Sequence, residues 1–492
     1  MSQVQMPETL QDVYNFVGGA WKKPQGTHQP VMSPYFGKPV GTVYYSTTED
    51  VDAAVQAAKA AFPAWAALPL KNRTQVMFAF RDILLRDLDI ISHAVSLENG
   101  KTIGESRAGI MKGIEVLEFA LSIQNTDSGG RMEVSRGVYC EYRREPLGVV
   151  ASITPFNFPA MVPMWTLPIA ITLGNAFVWK PSEKTPMTSL YLANALKEAG
   201  LPDGILTVVQ GDRVAVEAIT DHPDIRAISF VGSTKIAETV YKRSTNNSKR
   251  CLALGGAKNH IILLPDADPQ MSGQGISDSF TGCAGQRCMA ASVLLAVGDV
   301  DPIIDQIVAQ AASQEVGHTM GAIITAEQVK FLHEAIAQAE ADGATVRLDG
   351  RKATVAEPYG EGFWIGPTVL DNVKPGTQAA TVELFGPIIS IVRCQNISEA
   401  MAIENSSSYG NAASVFTSSG AMADYVARHA SAGMVGVNIG VPVPREPFSF
   451  GGINASKFGH GDITGAQSLD FWTNTKKVTS KWAMQNDHNW MS

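Results

Sequence analysis

The chain has 492 residues, enough for two to four lobes at ~100–200 residues each. Hydrophobic residues make up 45% and charged residues 17%, which is ordinary for a soluble globular protein. The 39 Lys and Arg against 47 Asp and Glu leave a formal net charge of −8, which argues against a nucleic-acid partner, whose binding face is normally basic.

Met1 to Glu8 carries neither a basic n-region nor an apolar h-region, so no secretory signal peptide is expected. Thr47-Thr48-Glu49-Asp50 offers N-cap oxygens and early acidic charge. It predicts a helix from Val51 to about Phe62, ended by Pro63. A second helix is predicted from about Asn72 to Asn99. A third covers 103–125, with Ile110, Ile114, Leu117 and Phe119 at roughly helical spacing.

Residues 131–144 change character: Met132, Val134, Val138, Tyr139 and Tyr142 read as exposed strand, with a hairpin turn at Arg136-Gly137. The basic run Phe471 to Trp482 is strand-like too. These segments are either two ordinary edge strands or a pair forming a small β arm used for oligomerisation.

From Pro146 to Trp179 there is no charged residue. Pro155, Pro159, Pro163 and Pro168 interrupt the stretch, so it reads as a buried strand, a loop and a short buried helix, not a membrane span. Leu147–Thr154, Ala176–Trp179, Ile205–Val209 and Ile225–Val231 are apolar strands alternating with helices. That pattern implies a parallel sheet covered on both faces. Residues 256 to about 445 repeat the alternation. The expectation is an α/β fold of two lobes with parallel-rich sheets and the small arm.

Four segments carry candidate chemistry. Phe230-Val231-Gly232-Ser233-Thr234 ends a buried strand at a helix start, where free N–H groups and the helix dipole favour an anion such as a dinucleotide pyrophosphate. Gly232 permits close backbone approach. Trp179-Lys180-Pro181-Ser182-Glu183 follows another strand end, where such sheets bind ligands. Glu183 and Lys180 suit ribose hydroxyls, and the Glu183 charge disfavours a 2′-phosphate. Phe280 to Ala290 surrounds Cys283 and Cys288 with small residues, leaving room at a thiol that Arg287 can help ionise. Glu383-Leu384-Phe385-Gly386-Pro387 offers a carboxylate for a ribose and an apolar wall for a ring. Read alone, each segment is also compatible with an ordinary capped helix, solvated turn or buried cysteine.

Taken in order and spacing, Thr154-Pro155-Phe156-Asn157-Phe158-Pro159, Trp179-Lys180-Pro181-Ser182-Glu183, Phe230-Val231-Gly232-Ser233, Gly285-Gln286-Arg287-Cys288 and Glu383-Leu384-Phe385-Gly386-Pro387 resemble the aldehyde dehydrogenase superfamily over nearly the whole chain. The resemblance implies an aldehyde dehydrogenase-like fold. It divides the chain into an NAD-binding domain of residues 1–125 and 146–255, a catalytic domain of 256–465, and an oligomerisation arm of 126–145 and 466–492. It implies that Cys288 attacks an aldehyde and carries a thioester after hydride transfer to NAD. Asn157 and the Cys288 N–H would form the oxyanion hole. Thr154, Phe156, Lys180, Glu183, Gly232, Ser233, Glu383 and Phe385 would hold the cofactor.

Most members place a glutamate before the nucleophile to activate water. Here that position falls on Leu254, or on Ala253 with a one-residue gap, and no Asp or Glu occurs between Glu238 and Asp266. A thiol is the better nucleophile where no base is present, so coenzyme A is expected to release the acyl group. Glu446 or a water chain is the alternative base. Gly256-Ala257-Lys258-Asn259-His260, Met161-Val162-Pro163 and the ending Lys476 to Trp482 are similar to the CoA-acylating methylmalonate-semialdehyde (malonate-semialdehyde) dehydrogenase branch. That branch implies a small aldehyde with a carboxylate, lost as CO2 before CoA attack. A hydrolytic enzyme for another small anionic aldehyde is the alternative, and a binding protein without turnover a third.

In that branch two arginines clamp the substrate carboxylate. One matches Arg287; at the other position stands Lys112, which keeps the charge without the planar fork. Arg107 and Arg445 are further cationic candidates. Cys283 either packs or forms a resting disulfide with Cys288. The five cysteines contain no CxxC and the nine histidines no HxxxH, so no metal is expected. Few, scattered cysteines suit a reducing compartment. The expectation is a cytoplasmic homodimer or homotetramer, or a mitochondrial-matrix one in a eukaryote, with no membrane or nucleic-acid partner.

Overall fold

The computed structural model describes residues 3–127 and 129–482. Met1 and Ser2 of the leader reading, Ser128, and 483–492 of the expected arm lie outside the described residues.

The first helix begins as its cap predicts. Thr47 Oγ1 accepts from Asp50 N at 3.3 Å and the Asp50 carboxylate accepts from Thr47 N at 3.0 Å, a reciprocal capping box. The helix spans Thr48–Ala66 and contains Pro63, which does not end it. Proline so near the C-terminus forfeits one ladder donor, while buried Trp65 pins the last turn by donating from Nε1 to Ile171 O at 2.9 Å. The single helix expected up to Asn99 is two, Leu70–Arg86 and Leu88–Asn99. Asp87 breaks them: its carboxylate takes the Arg86 guanidinium at 2.8 and 2.7 Å, and aspartate is a weak mid-helix residue. Leu84 and Leu88 stay in one core across the break. The third helix, Ile103–Thr126, starts from a second capping box between Thr102 and Glu105.

The first sheet has eight strands in the order Lys457–Phe458, Arg250–Leu254, Ile225–Val231, Val149–Ile153, Ala176–Lys180, Leu206–Val208, Asn15–Val17 and Ala20–Lys22. The five strands from Arg250–Leu254 to Leu206–Val208 run parallel. Antiparallel strands close both edges. The wholly buried helix Met161–Thr172 packs in the same core, which is why the uncharged stretch is apolar without spanning anything. Among the described residues no helix is long and apolar enough to cross a membrane.

The second sheet has seven strands, ordered Thr345–Leu348, Thr368–Asp371, Ile388–Cys394, Ala291–Val297, Asn259–Leu263, Ala412–Phe416 and Met434–Val437. All pair in parallel except Thr345–Leu348. The chain is therefore two α/β lobes with parallel-rich sheets.

The arm is a three-stranded antiparallel sheet. Gly130–Ser135 and Val138–Pro146 form the hairpin, turning at Arg136-Gly137, and Thr473–Lys481 pairs along the whole second strand, from Thr473 against Pro146 to Lys481 against Val138. The C-terminal strand begins two residues later than expected. Phe471 and Trp472 close the helix Gly465–Trp472 and are buried. A further three-stranded sheet, Gln11–Val13, Lys38–Tyr44 and His28–Ser33, was not anticipated from sequence.

Candidate active site

The C-terminal ends of the parallel strands in the first sheet open onto a cleft of about 930 Å³. Thr154, Phe156, Asn157, Lys180, Glu183, Gly232, Ser233, Cys288, Glu383 and Phe385 all line it. Residues from both lobes, far apart in sequence, thus meet in one place, at the position where open α/β sheets bind ligands. Arg287, Lys112 and Arg445 are not among the lining residues.

One wall suits a dinucleotide. Ser233 is the N-cap of Thr234–Asn246, yet its side chain makes no capping hydrogen bond, so the hydroxyl and the first helical N–H groups are available to an anion. Lys180 is buried, donates to Pro181 O at 2.7 Å and lies 3.6 Å from Glu183. Burial pushes its pKa down, and Glu183 opposes that. An ammonium and a carboxylate side by side can share a pair of vicinal hydroxyls. Thr154 Oγ1 accepts from Trp179 Nε1 at 2.9 Å, which braces the strand ends beneath.

Across the cleft, Glu383 Oε1 accepts from Ala257 N at 3.0 Å. Burial raises the Glu383 carboxyl to about 7. Its segment precedes the strand Ile388–Cys394, and Phe385 sits at φ 56°, a left-handed conformation costly for a non-glycine residue. Gln328 Nε2 holds it by donating to Leu384 O at 2.7 Å and Phe385 O at 3.4 Å. The Phe385 ring meets that of Phe156 edge-on, with centroids 5.8 Å apart, forming an apolar wall.

The loop that carries Cys283 and Cys288 is strained and tied down. Cys283, Ala284 and Gly285 have φ of 52°, 50° and 69°. A Cβ on Gly285 would stand 2.0 Å from Gly386 O, so the close approach of the two site segments requires glycine. Glu105 receives the Cys283 N–H at 2.5 Å. Gln286 donates from Nε2 to Ala322 O and accepts at Oε1 from Ile324 N, both at 3.0 Å. The Arg287 guanidinium donates to Asp278 O and Ser279 O at the end of the helix Pro269–Thr281. Cys288 is half-buried and carries a free thiol, as does buried Cys283. Burial, and secondarily the Glu383 charge, push the Cys288 thiol up to about 12, while its own backbone N–H and then Arg287 and Lys101 pull the other way.

Two donors belong to the part of the cleft that Cys288 lines. Asn157 Nδ2 spends one hydrogen on Gln286 O at 3.1 Å and has a second to offer. The Cys288 N–H has no backbone acceptor among the described residues and, its own sulfur apart, is available to a ligand. Preorganised donors next to a thiol are what a tetrahedral oxyanion needs.

Of the cations expected at a substrate carboxylate, Lys112 and Arg107 are engaged in ion pairs. Lys112 Nζ lies 2.9 Å from Glu115, 3.3 Å from Pro444 O and 3.5 Å from Glu446, whose side chain is 6% exposed. Arg107 pairs with Asp89 and Arg445 is exposed. Arg287 keeps a buried Nε without a hydrogen-bond partner.

Sequence reasoning missed Lys101. Its buried ammonium donates to Asn157 O and, at 3.1 Å, to Asn99 Oδ1, and sits 4.2 Å from the Phe158 ring centre. Asn99 in turn donates to Phe156 O at 2.7 Å. Asn259 and Asn411, which hold the Cys288 carbonyl at 2.7 and 2.9 Å, were missed as well. Asn259 lies within a motif that marked the resemblance. Nothing in the local pattern of Lys101 or Asn411 separates them from surface polar residues.

The model of the aldehyde dehydrogenase family matches residues 21–478. A relative from Geobacillus thermodenitrificans, malonate-semialdehyde dehydrogenase 1, is 39% identical over 486 residues, covering 97% of this chain and 100% of its own. Malonate-semialdehyde dehydrogenase 3 of Geobacillus kaustophilus is 40% identical over 95% of this chain and 98% of its own. The crystal structure of methylmalonate-semialdehyde dehydrogenase from Oceanimonas doudoroffii superposes with a TM-score of 0.94 at 38% identity, over 97% of this chain and 99% of that one. A Sinorhizobium meliloti structure, provisionally named a methylmalonate-semialdehyde dehydrogenase and complexed with NAD, gives 0.95 at 38% identity over 98% and 100%.

Proposed function

The chain belongs to the aldehyde dehydrogenase family, and from that premise we propose that it oxidises malonate or methylmalonate semialdehyde with NAD and hands the acyl group to coenzyme A. Cys288 Sγ attacks the aldehyde carbon, and the carbonyl oxygen takes negative charge between Asn157 Nδ2 and the Cys288 N–H. Preorganised donors of this kind lower the barrier by about 3–4 kcal/mol each. NAD supplies the hydride acceptor. Ser233 and the N-terminus of Thr234–Asn246 hold its pyrophosphate. Lys180 and Glu183 take one ribose and Glu383 the other, while Phe385 and Phe156 wall the ring. Gly232 lets the backbone come close, and Thr154 stiffens the floor.

What remains on Cys288 is a thioester with a carboxylate two atoms away. Loss of CO2 leaves an enolate that the thioester carbonyl delocalises, and protonation of its carbon gives the acetyl or propanoyl thioester. The CoA thiolate then displaces Cys288, yielding acetyl-CoA or propanoyl-CoA. Arg287, next to Cys288 with its guanidinium held by Asp278 O and Ser279 O, adds positive charge for the substrate carboxylate. An anion reaching Lys112 displaces Glu446 from it, and exposed Arg445 adds positive charge.

The observation that carries the release step is Leu254. Its strand ends beside the cleft with an apolar side chain where the family's water-activating glutamate is expected. Glu446 is the weaker substitute base, because it does not line the cleft. One observation favours the alternative, a hydrolytic enzyme for another small anionic aldehyde. Glu383 lines the cleft, titrates at about 7 and its charge is felt by the Cys288 thiol. In the same reading residues 1–125 and 146–255 form the NAD-binding domain and 256–465 the catalytic domain. The arm, 126–145 with 466–492, joins subunits into a homodimer or homotetramer.

The test is product identity. With 13C-labelled malonate semialdehyde, NAD and CoA, labelled acetyl-CoA is expected by mass spectrometry, with one CO2 per NADH. Labelled malonate or acetate as the sole product, with CoA present throughout, would sink the acylating reading.

A further inference from the structure

The peptide groups around Cys288 are held to an unusual degree. Arg287 O accepts from Ala290 N at 3.1 Å, which makes Cys288 and Met289 the two central residues of a β-turn. The central peptide of such a turn, the one bearing the Cys288 carbonyl, has two preferred orientations. They differ by roughly 150° in ψ of the first central residue. In one the carbonyl points to one face of the turn, in the other to the opposite face. That flip reverses the Cys288 carbonyl and the Met289 N–H; the Cys288 N–H, on the preceding peptide, is affected only through the Cys288 Cα to which both peptides are joined.

Here both lone pairs of that carbonyl are filled by side chains. Asn259 Nδ2 donates to Cys288 O at 2.7 Å and to Ala290 O at 2.9 Å. Asn411 Nδ2 donates to Cys288 O at 2.9 Å and reaches Met289 Sδ at 3.1 Å. The Asn259 amide has one possible orientation, because its Oδ1 accepts from Ala412 N at 3.1 Å. Both asparagines are buried, at 5% and 7% exposure, and they stand at the starts of adjacent paired strands, Asn259–Leu263 and Ala412–Phe416. Upstream, Asn157 Nδ2 holds Gln286 O. The Arg287–Cys288 peptide, which owns the free N–H, is thereby fixed from both sides.

We propose that Asn259 and Asn411 are positioning residues for aldehyde oxidation, clamping the Cys288 carbonyl so that the Cys288 Cα, from which the preceding N–H is also hung, stays in place beside the developing oxyanion. Two amides on one acceptor exceed what satisfying a buried carbonyl requires, and both come from the second sheet, which links the nucleophile to a rigid element. This rests on the reading of Cys288 as nucleophile.

The experiment compares Asn259→Leu and Asn411→Leu, near-isosteric changes, with the unaltered enzyme. The first-turnover rate of NADH formation, the KM for aldehyde, NAD binding and the rate of Cys288 alkylation by iodoacetamide are measured in each. Alkylation displaces iodide at a saturated carbon and forms no oxyanion, so it reports the thiol without the hole. The burst rate is expected to fall about 10- to 100-fold, the effect of an ångström-scale misplacement. KM, NAD binding and alkylation are expected to stay within about threefold. Asn411→Ala, which removes one donor without adding apolar bulk, is the second variant should the leucines not fold. It is expected to lose about three- to tenfold in the burst alone. A burst at the unaltered rate in a folded variant overturns the proposal, and so does an equal loss of burst and alkylation. Should Cys288→Ser retain the burst, the nucleophile reading itself has failed. Should it abolish the burst while the asparagine variants keep theirs, only the clamp has failed.

Discussion

Two neighbouring strands of the first sheet, Ile225–Val231 and Arg250–Leu254, pair in parallel with Val231 opposite Leu254. Both lead into the same cleft, through Gly232 and Ser233 on one side and Gly255 and Gly256 on the other. The first ends in an uncapped serine hydroxyl at a helix start. The second ends in a buried leucine and two glycines. The contrast separates two demands on the site. Gripping a dinucleotide needs backbone N–H groups, a hydroxyl and close approach, all present. Activating water needs a carboxylate near the thioester, and this strand end supplies none of its own; the one it meets, Glu383, accepts from Ala257 N.

The largest effect belongs to what both strand ends serve. Cys288→Ala should lower NADH formation by roughly 10⁴-fold or more, checked in single-turnover absorbance, with NAD binding retained. Asn157→Ala comes next, at about 10²- to 10³-fold in kcat with little change in KM. Leu254→Glu breaks the contrast directly. A carboxylate there should raise CoA-independent steady-state turnover about 10²-fold, the lower part of what a general base contributes. Burying the new acid costs about 2–4 kcal/mol of stability, read as a lower Tm.

The thiol gives a comparable effect through pH. Burial raises the Cys288 thiol to about 12, and the reactive species is the deprotonated form. In cofactor-free enzyme, iodoacetamide alkylation should therefore rise about tenfold per pH unit and show no plateau between pH 7 and pH 10. A plateau below pH 8 means that the fixed cations Lys101 and Arg287 outweigh burial. The smallest effect is at the other strand end. Ser233→Ala should weaken NAD about three- to tenfold, one hydrogen bond's worth, leaving the burst rate at saturating NAD unchanged.

The strand ends also show what sequence alone could and could not convey. Ile225–Val231 was legible to the residue, because seven mostly apolar residues before Gly-Ser-Thr allow little else. The missing acid at Leu254 was equally plain, since it concerns residue identity at a fixed spacing. Helix limits were less so: Pro63 and Asp87 act through packing of Trp65, Leu84 and Leu88, which local pattern does not encode. The pairing of Thr473–Lys481 with Val138–Pro146 was open from sequence, as partner choice across more than three hundred residues depends on the whole fold. Least legible were the long-range polar ties. Lys101 to Asn157, Asn411 to Cys288 and Lys112 to Glu446 each join segments with no shared sequence signature. The last of these shows why a cation placed by motif alone need not face the substrate.

The most direct test of the account is NADH formation from malonate semialdehyde and NAD, followed through the first turnover and into steady state, with and without CoA. The account predicts one equivalent of NADH per active site in both cases, and sustained turnover only when CoA is added. Equal sustained rates without CoA would contradict it, and would place a water-activating base, with Glu383 the first to substitute, at the cleft.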